Sequence, residues 1–278
     1  MTDPSQPSDP FDDRPAPAAD ATAQPTADST PARGVPPVGD VPWSVGDSLL
    51  VLLVWFLVLV GVVGLVVIPA LQALLPEAAA SAAALPVATG LLIVVTLAYV
   101  GSRYGGHVRR LFGSVPPTWG SVGYGVLAGV IGLVVFAFLL GNALALLARL
   151  VEGELPPIQE QFRQMAGQRQ SVPLLVFGSV VVAPIAEELF YRGMLFTALR
   201  RTMPLWPAMG LSGALFALSH FQTGGLQATL LVILIIMPLG MFFAWIYERK
   251  GTLVVPIVAH AVFNLVQVSY LVQQGGAV

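Results

Sequence analysis

The chain has no cysteine, which removes a disulfide framework, a thiolate metal site and a thiol nucleophile at once. The same lack leaves no residue for prenylation or palmitoylation, and the chain ends Gly-Gly-Ala-Val. Charge is scarce as well. Only 10% of the 278 residues are Asp, Glu, Lys or Arg, against about 25% in soluble domains. The net charge of −2 gives no basis for nucleic-acid binding. A single lysine stands beside twelve arginines, a usage that points to a GC-rich bacterial genome. Apolar residues, by contrast, make up 56% of the chain. No soluble fold accounts for that proportion, so the composition predicts an all-α polytopic bundle with the lipid bilayer as solvent.

Four regions follow along the chain. Residues 1–46 carry seven aspartates and two arginines among Pro, Ala and Thr. Such a stretch buries too little apolar surface to offset its ordering entropy, and is expected to be a disordered acidic tail. It lacks the basic start and directly following apolar core of a signal peptide. Residues 47–170 read as accessory helices and a surface loop, 171–272 as a second helix bundle, and 273–278 as a short tail. Seven spans are expected, at 49–68, 82–100, 122–147, 172–199, 204–221, 226–247 and 252–272. The third is dense in glycine (Gly123, Gly125, Gly129, Gly132, Gly141), which lets helix backbones approach closely. Between the third and fourth spans, Pro156 and Pro157 suit a helix start, and Ile158, Phe162 and Met165 then share one face. A short helix lying on the membrane surface is predicted there.

The basic residues orient the bundle. With the N-terminus in the cytoplasm, seven fall on that side (Arg103, Arg109, Arg110, Arg200, Arg201, Arg249, Lys250) and three on the other (Arg149, Arg163, Arg169). The positive-inside rule favours this arrangement, with the C-terminus outside. A bacterial cytoplasmic membrane is the expected location.

One stretch, 181–193, breaks the apolar pattern. It carries Glu187, Glu188 and Arg192 in the middle of a span, and a charged side chain at that depth costs about 2.5–3.5 kcal/mol on insertion scales. The charges are therefore expected to face the protein interior and to work there. Glu188 and Arg192 are four apart and can pair. Glu187 is turned about 100° away, so the two carboxylates have different tasks. Pro184, just before them, cannot donate a backbone hydrogen bond and disturbs the preceding turn.

Two histidines join this stretch. Glu187 lies 13 residues before Arg200, His220 lies 15 beyond Leu205, and His260 ten beyond Lys250. At 1.5 Å per residue these are depths of about 20, 22 and 15 Å from one side. Asn264 follows His260 by one turn, as His220 follows Phe216. A Glu, two His and an Asn around one cavity suit peptide-bond hydrolysis: the Glu as base on a water, a His to hold that water, and His and Asn donors for the oxyanion. Neither a Gly-x-Ser-x-Gly elbow nor a His-Glu-x-x-His helix is present. His107 lies in a polar turn, and Tyr191 and Trp245 read as packing or interface residues.

Glu187-Glu188-x-x-x-Arg192, Phe216-x-x-x-His220 and His260-x-x-x-Asn264 together resemble the three motifs of the CPBP intramembrane proteases. This is the CAAX protease and bacteriocin-processing (Abi) family, which includes the Rce1-like type II CAAX prenyl endopeptidases. The resemblance covers roughly residues 171–270. It implies an intramembrane endopeptidase acting on membrane-associated proteins or peptides, with Glu187 as base, His220 on the same water or on a metal, and His260 and Asn264 supporting the oxyanion. Glu188 and Arg192 match the remaining family positions. The family core is described with eight helices, one more than counted here. Two chemistries stay open: a metal-free glutamate mechanism, or a divalent metal such as zinc held by Glu187, His220 and His260. Two other functions compete with catalysis. One is a non-catalytic binding protein of bacteriocin immunity, and the other a proton-coupled transporter using Glu187 and Glu188. The absence of an internal repeat disfavours the transporter.

Overall fold

Helix ends are marked by local chemistry. Ser44 caps the first helix, α1 (Val45–Gln72), in a reciprocal capping box with Asp47. α2 (Glu77–Tyr104) is 28 residues long, about 42 Å, and tightens into a 3-10 turn at Gly105–Phe112. Thr118 and Ser121 form a second capping box at the start of α3 (Trp119–Leu147). A short α4 (Glu160–Ala166) precedes α5 (Val172–Thr202). Pro204 then opens α6 (Leu205–Leu218), followed by α7 (Leu226–Lys250) and α8 (Val254–Gly275). This computed structural model describes residue 38 and residues 40–150, 160–220 and 226–275.

Among the described residues, six helices are long and apolar enough to cross a membrane, and the molecule is a helical membrane bundle. The expected seventh span, 204–221, corrects to something shorter. α6 has 14 residues, about 21 Å, which is less than the hydrocarbon core of about 30 Å. It stops because Ser219 Oγ (2.8 Å) and His220 Nδ1 (2.8 Å) both bond the Phe216 carbonyl, which would otherwise continue the helix. His220 therefore sits just past the end of α6.

Several basic residues gather at one end of the bundle. Arg200 bridges to Glu248 (2.9 Å), Leu253 N–H donates to the Phe112 carbonyl, and Arg201 donates to the Pro42 carbonyl. Gly113 (φ 103°) and Gly251 (φ 66°) make the closest approach, where the N–H groups of Ser114 and Val115 share the Gly251 carbonyl. A Cβ on Gly113 would overlap that carbonyl.

Most of the stretch expected as a tail lies outside the described residues, but its end is packed. Val41 and Trp43 are buried in the main core, and Trp43 Nε1 donates to the Met194 carbonyl (3.0 Å) and Thr197 Oγ1 (3.1 Å). The expected surface helix also corrects. Pro156, Pro157 and Ile158 fall outside the described residues, but in α4 Met165 and Ala166 are buried against Ala78, Ala82, Leu175 and Val268. The apolar face of α4 is taken by the bundle, not by lipid.

The glycine-rich face of α3 packs where it should. A Cβ on Gly125 would come within 2.6 Å of Val258 Cβ, and one on Gly129 within 2.7 Å of Val262 Cβ. Both contacts are on α8, so the glycines let α3 press directly on the helix that carries His260 and Asn264. Gly213 of α6 and Gly240 of α7 make a similar close crossing.

Candidate active site

α5 supplies the two carboxylates. The helix widens into π-type turns on either side of Pro184, over Phe177–Val182 and Glu188–Phe196. Pro184 cannot serve the usual i→i−4 bond; similar wide turns also occur over Leu59–Val67 of α1 and Leu133–Leu140 of α3.

The two glutamates are separated by environment, as their 100° offset requires. Glu188 is fully buried and accepts from Arg192 Nη1 at 2.8 Å. Arg192, also fully buried, sends Nη2 to the Gly240 carbonyl (2.9 Å). Its guanidinium lies 4.4 Å from the Phe216 ring centre and 5.3 Å from that of Phe243. The charge is therefore held by a carboxylate, a carbonyl and two aromatic faces, the arrangement that makes an interior arginine tolerable.

Glu187 instead faces a cavity of 420 Å³, and its Oε2 is buried without a hydrogen-bond partner. His220 Nε2 stands 4.0 Å from that oxygen and His260 Nε2 3.8 Å. The far nitrogen of each ring is anchored: His220 Nδ1 on the Phe216 carbonyl (2.8 Å), His260 Nδ1 on Glu188 Oε1 (3.0 Å). Both anchors are acceptors, so each Nδ1 carries a proton, and in the neutral ring Nε2 presents a lone pair. Phe243 stacks on His260 (5.0 Å, 25°), while the edge of Phe216 meets both imidazoles. Asn264 lines the same cavity and donates from Nδ2 to the Ser179 carbonyl (2.8 Å).

The structure thus brings Glu187 within 4.0 Å of both His220 and His260, and links Glu188 to both Arg192 and His260. The Glu188–His260 contact was not legible in sequence, since the residues are 72 apart. The Gly240 carbonyl, the Ser179 carbonyl and the Phe243 stack were not found either. The one available signal was the pair of small residues at 213 and 240, which permits the α6–α7 crossing.

Two imidazoles and a carboxylate are zinc-type ligands, but ligands about 2.1 Å from a tetrahedral zinc stand about 3.4 Å apart. The observed 3.8 and 4.0 Å are wider. A water about 2.8 Å from each atom spans such gaps readily. Among the described residues no three His, Asp or Glu side chains stand at metal-binding spacing. The donor types are those of a zinc site, and the spacing as placed accommodates a water.

Comparison with known proteins falls on the same part of the chain. Residues 169–266 match a family model described as Type II CAAX prenyl endopeptidase Rce1-like. The Bacillus subtilis (strain 168) protein named "Putative membrane peptidase YdiL" is 34% identical over 95 residues, 34% of this chain and 36% of that protein. The chain therefore spans about a third of the length of the curated relative it matches. No solved structure matches. Glu187, Glu188, Arg192, His220, His260 and Asn264 all lie inside the matched stretch that resembles the type II CAAX prenyl endopeptidases, while residues outside it, among them Trp55, Leu85 and Phe136, complete the cavity wall.

Proposed function

We propose that the chain is an intramembrane endopeptidase of the CAAX-protease kind, which hydrolyses peptide bonds of membrane-associated proteins or peptides with a water activated by Glu187. The observation that carries this is the unpartnered Glu187 Oε2 facing two imidazole Nε2 atoms. Three acceptors converge and none can donate to another; a water supplies the protons they lack.

The reaction follows from that water. Glu187 takes one of its protons as the oxygen bonds to the scissile carbonyl carbon, and the C=O electron pair moves to the carbonyl oxygen. The oxyanion is met by the second N–H of Asn264, whose first is used on Ser179. Collapse re-forms the carbonyl and breaks the C–N bond, and the proton held by Glu187 passes to the leaving nitrogen. Glu188, fixed by Arg192, holds the ring and tautomer of His260 and keeps its Nε2 aimed at the water. His220, held by the Phe216 carbonyl, orients the same water. This chemistry routes no step through a metal.

The test compares membrane peptides from cells carrying the wild-type protein or Glu187→Gln. Cleavage products present with wild type should fall by about 10²-fold or more in the variant, with folding intact. Identical peptide patterns sink the enzyme and favour the non-catalytic binding protein, which has no need of a base. With a cleaved peptide in hand, activity should survive dialysis against a strong chelator. Loss that zinc or cobalt restores would reassign Glu187, His220 and His260 as ligands. For orientation, the gathering of Arg103, Arg110, Arg200 and Arg201 at one end supports a cytoplasmic N-terminus in a bacterial inner membrane. A reporter fused after residue 278 should then read as external.

A further inference from the structure

Gln267 is a primary amide within a membrane-crossing helix, half-buried and lining the catalytic cavity. Among the described residues it makes no hydrogen bond. Its neighbours on the lining are engaged: on the same helix His260 by Glu188 and Asn264 by Ser179, and on α2 Thr89 by the Leu85 carbonyl. Gln267 opens onto the cavity with both its donors and its acceptor available to something that enters it. Its surroundings there are apolar, with Leu85, Phe162, Val268 and Leu271 on the same lining.

Helix geometry sets where that something lies. Gln267 is seven residues beyond His260 on α8, which is two turns to within about 20°, and about 10.5 Å along the axis. It therefore shares the face of His260 and lies further from the arginine-rich end, since α8 starts beside Lys250. An extended peptide advances about 3.3 Å per residue, so about three residues bridge the two levels. We infer that Gln267 is a substrate-positioning residue, its amide pairing with the main-chain peptide group about three residues from the scissile bond of an extended apolar substrate. A primary amide is suited to this because it donates to a carbonyl and accepts from an N–H of the same backbone edge, which gives register without demanding a particular side chain. The inference rests on the peptidase reading for the position of the scissile bond, but not for the binding itself.

The test uses binding and cleavage together. The probes are blocked nonapeptides of Leu and Ala, with each amide in turn replaced by an ester, which removes one N–H. Binding is read from the fluorescence of Trp55, which lines the cavity, and cleavage by mass spectrometry. Gln267→Leu should weaken binding and raise KM about tenfold with kcat little changed, the mark of lost uniform binding. One ester position, about three residues from any cleaved bond, should weaken wild-type binding by a similar factor and leave Gln267→Leu unaffected; that double-mutant cycle pairs the two groups. Gln267→Leu should melt no lower than wild type, because it removes an unpartnered polar group. Gln267-dependent binding without cleavage leaves this inference standing and removes the peptidase reading. Equal binding by wild type and variant, no binding by wild type, or a lowered melting temperature in Gln267→Leu would each overturn it.

Discussion

The first and last parts of the bundle meet the membrane in opposite ways. Of the most apolar stretches of α1 and α3, 11% and 6% of residues are buried; for α5, α7 and α8 the shares are 44%, 39% and 33%. α1 and α3 leave many apolar side chains uncovered by protein, Leu65, Phe138 and Leu127 among them, as a surface facing lipid would. α5 spends them on protein, and among the described residues it alone carries fully enclosed charge, at Glu188 and Arg192. Lipid cannot satisfy a charge, whereas a protein wall supplies a counter-ion, a carbonyl and aromatic faces in fixed positions. The difference between the halves is therefore what each helix surface has been asked to replace water with.

The sharpest break in that comparison should come from Arg192→Ala. It leaves Glu188 buried without its cation, the Gly240 carbonyl without its donor, and an empty space between Phe216 and Phe243. Removing one partner of a buried pair costs about 3–5 kcal/mol. Unfolding in detergent should show that loss, with folded protein falling alongside activity. Arg192→Lys should recover only part, because an ammonium cannot fork between Glu188 and Gly240. Wild-type stability in Arg192→Ala would mean that the enclosed charge is not what distinguishes this half. Glu187→Gln is the contrast within one turn of helix, with activity lost and stability kept.

A matched pair of glycines sharpens the comparison at smaller scale. In α3, a Cβ on Gly129 would stand 2.7 Å from Val262 Cβ and 2.8 Å from the Ala259 carbonyl, next to His260. In α1, a Cβ on Gly61 meets nothing within 4 Å. Gly129→Ala should cost about 1–3 kcal/mol by overpacking, and move α8 enough to lower activity. Gly61→Ala should be neutral or stabilising by up to about 1 kcal/mol, since glycine is the poorer helix former. Thermal melts of the two variants, with cleavage rates for each, check both signs. Equal effects would mean that glycine in this bundle is a matter of propensity rather than contact.

These pairs also show what the sequence carried. Charge in an apolar run is visible without coordinates, and so are the i, i+4 pairs and the agreement in depth of Glu187, His220 and His260. The glycine face of α3 was visible too, though not the helix it met. What could not be read is whatever depends on two distant helices at once: Glu188 on His260, Arg192 on the Gly240 carbonyl, and Asn264 on Ser179. The length of α6 was misjudged for a related reason. The expected span ran three residues past Leu218, to residue 221, but Ser219 and His220 turn back onto the Phe216 carbonyl. A window of hydrophobicity measures transfer to lipid and is blind to side chains that end a helix from within. α4 misled in the same way: an amphipathic pattern fixes a face but not whether lipid or protein covers it.

The smallest effect expected is at the lipid-facing surface, and it is the control on all the others. Leu65 of α1 is 73% exposed and Phe138 of α3 65%. In a protein core, Leu→Ala costs about 2–5 kcal/mol, through lost transfer energy and an unfilled cavity. Neither term applies here. The side chain is surrounded by acyl chains before and after unfolding within the bilayer, and fluid lipid fills the space that a smaller residue leaves. Leu65→Ala and Phe138→Ala should therefore change stability by less than about 0.5 kcal/mol and leave cleavage unchanged. Leu189→Ala, buried in the main core on α5, should cost several times more under the same conditions. Measured side by side in lipid nanodiscs, the three variants test whether α1 and α3 face lipid alone. A loss of more than about 1 kcal/mol at Leu65 would mean that a protein surface, from a second copy or a partner, covers that face in the membrane.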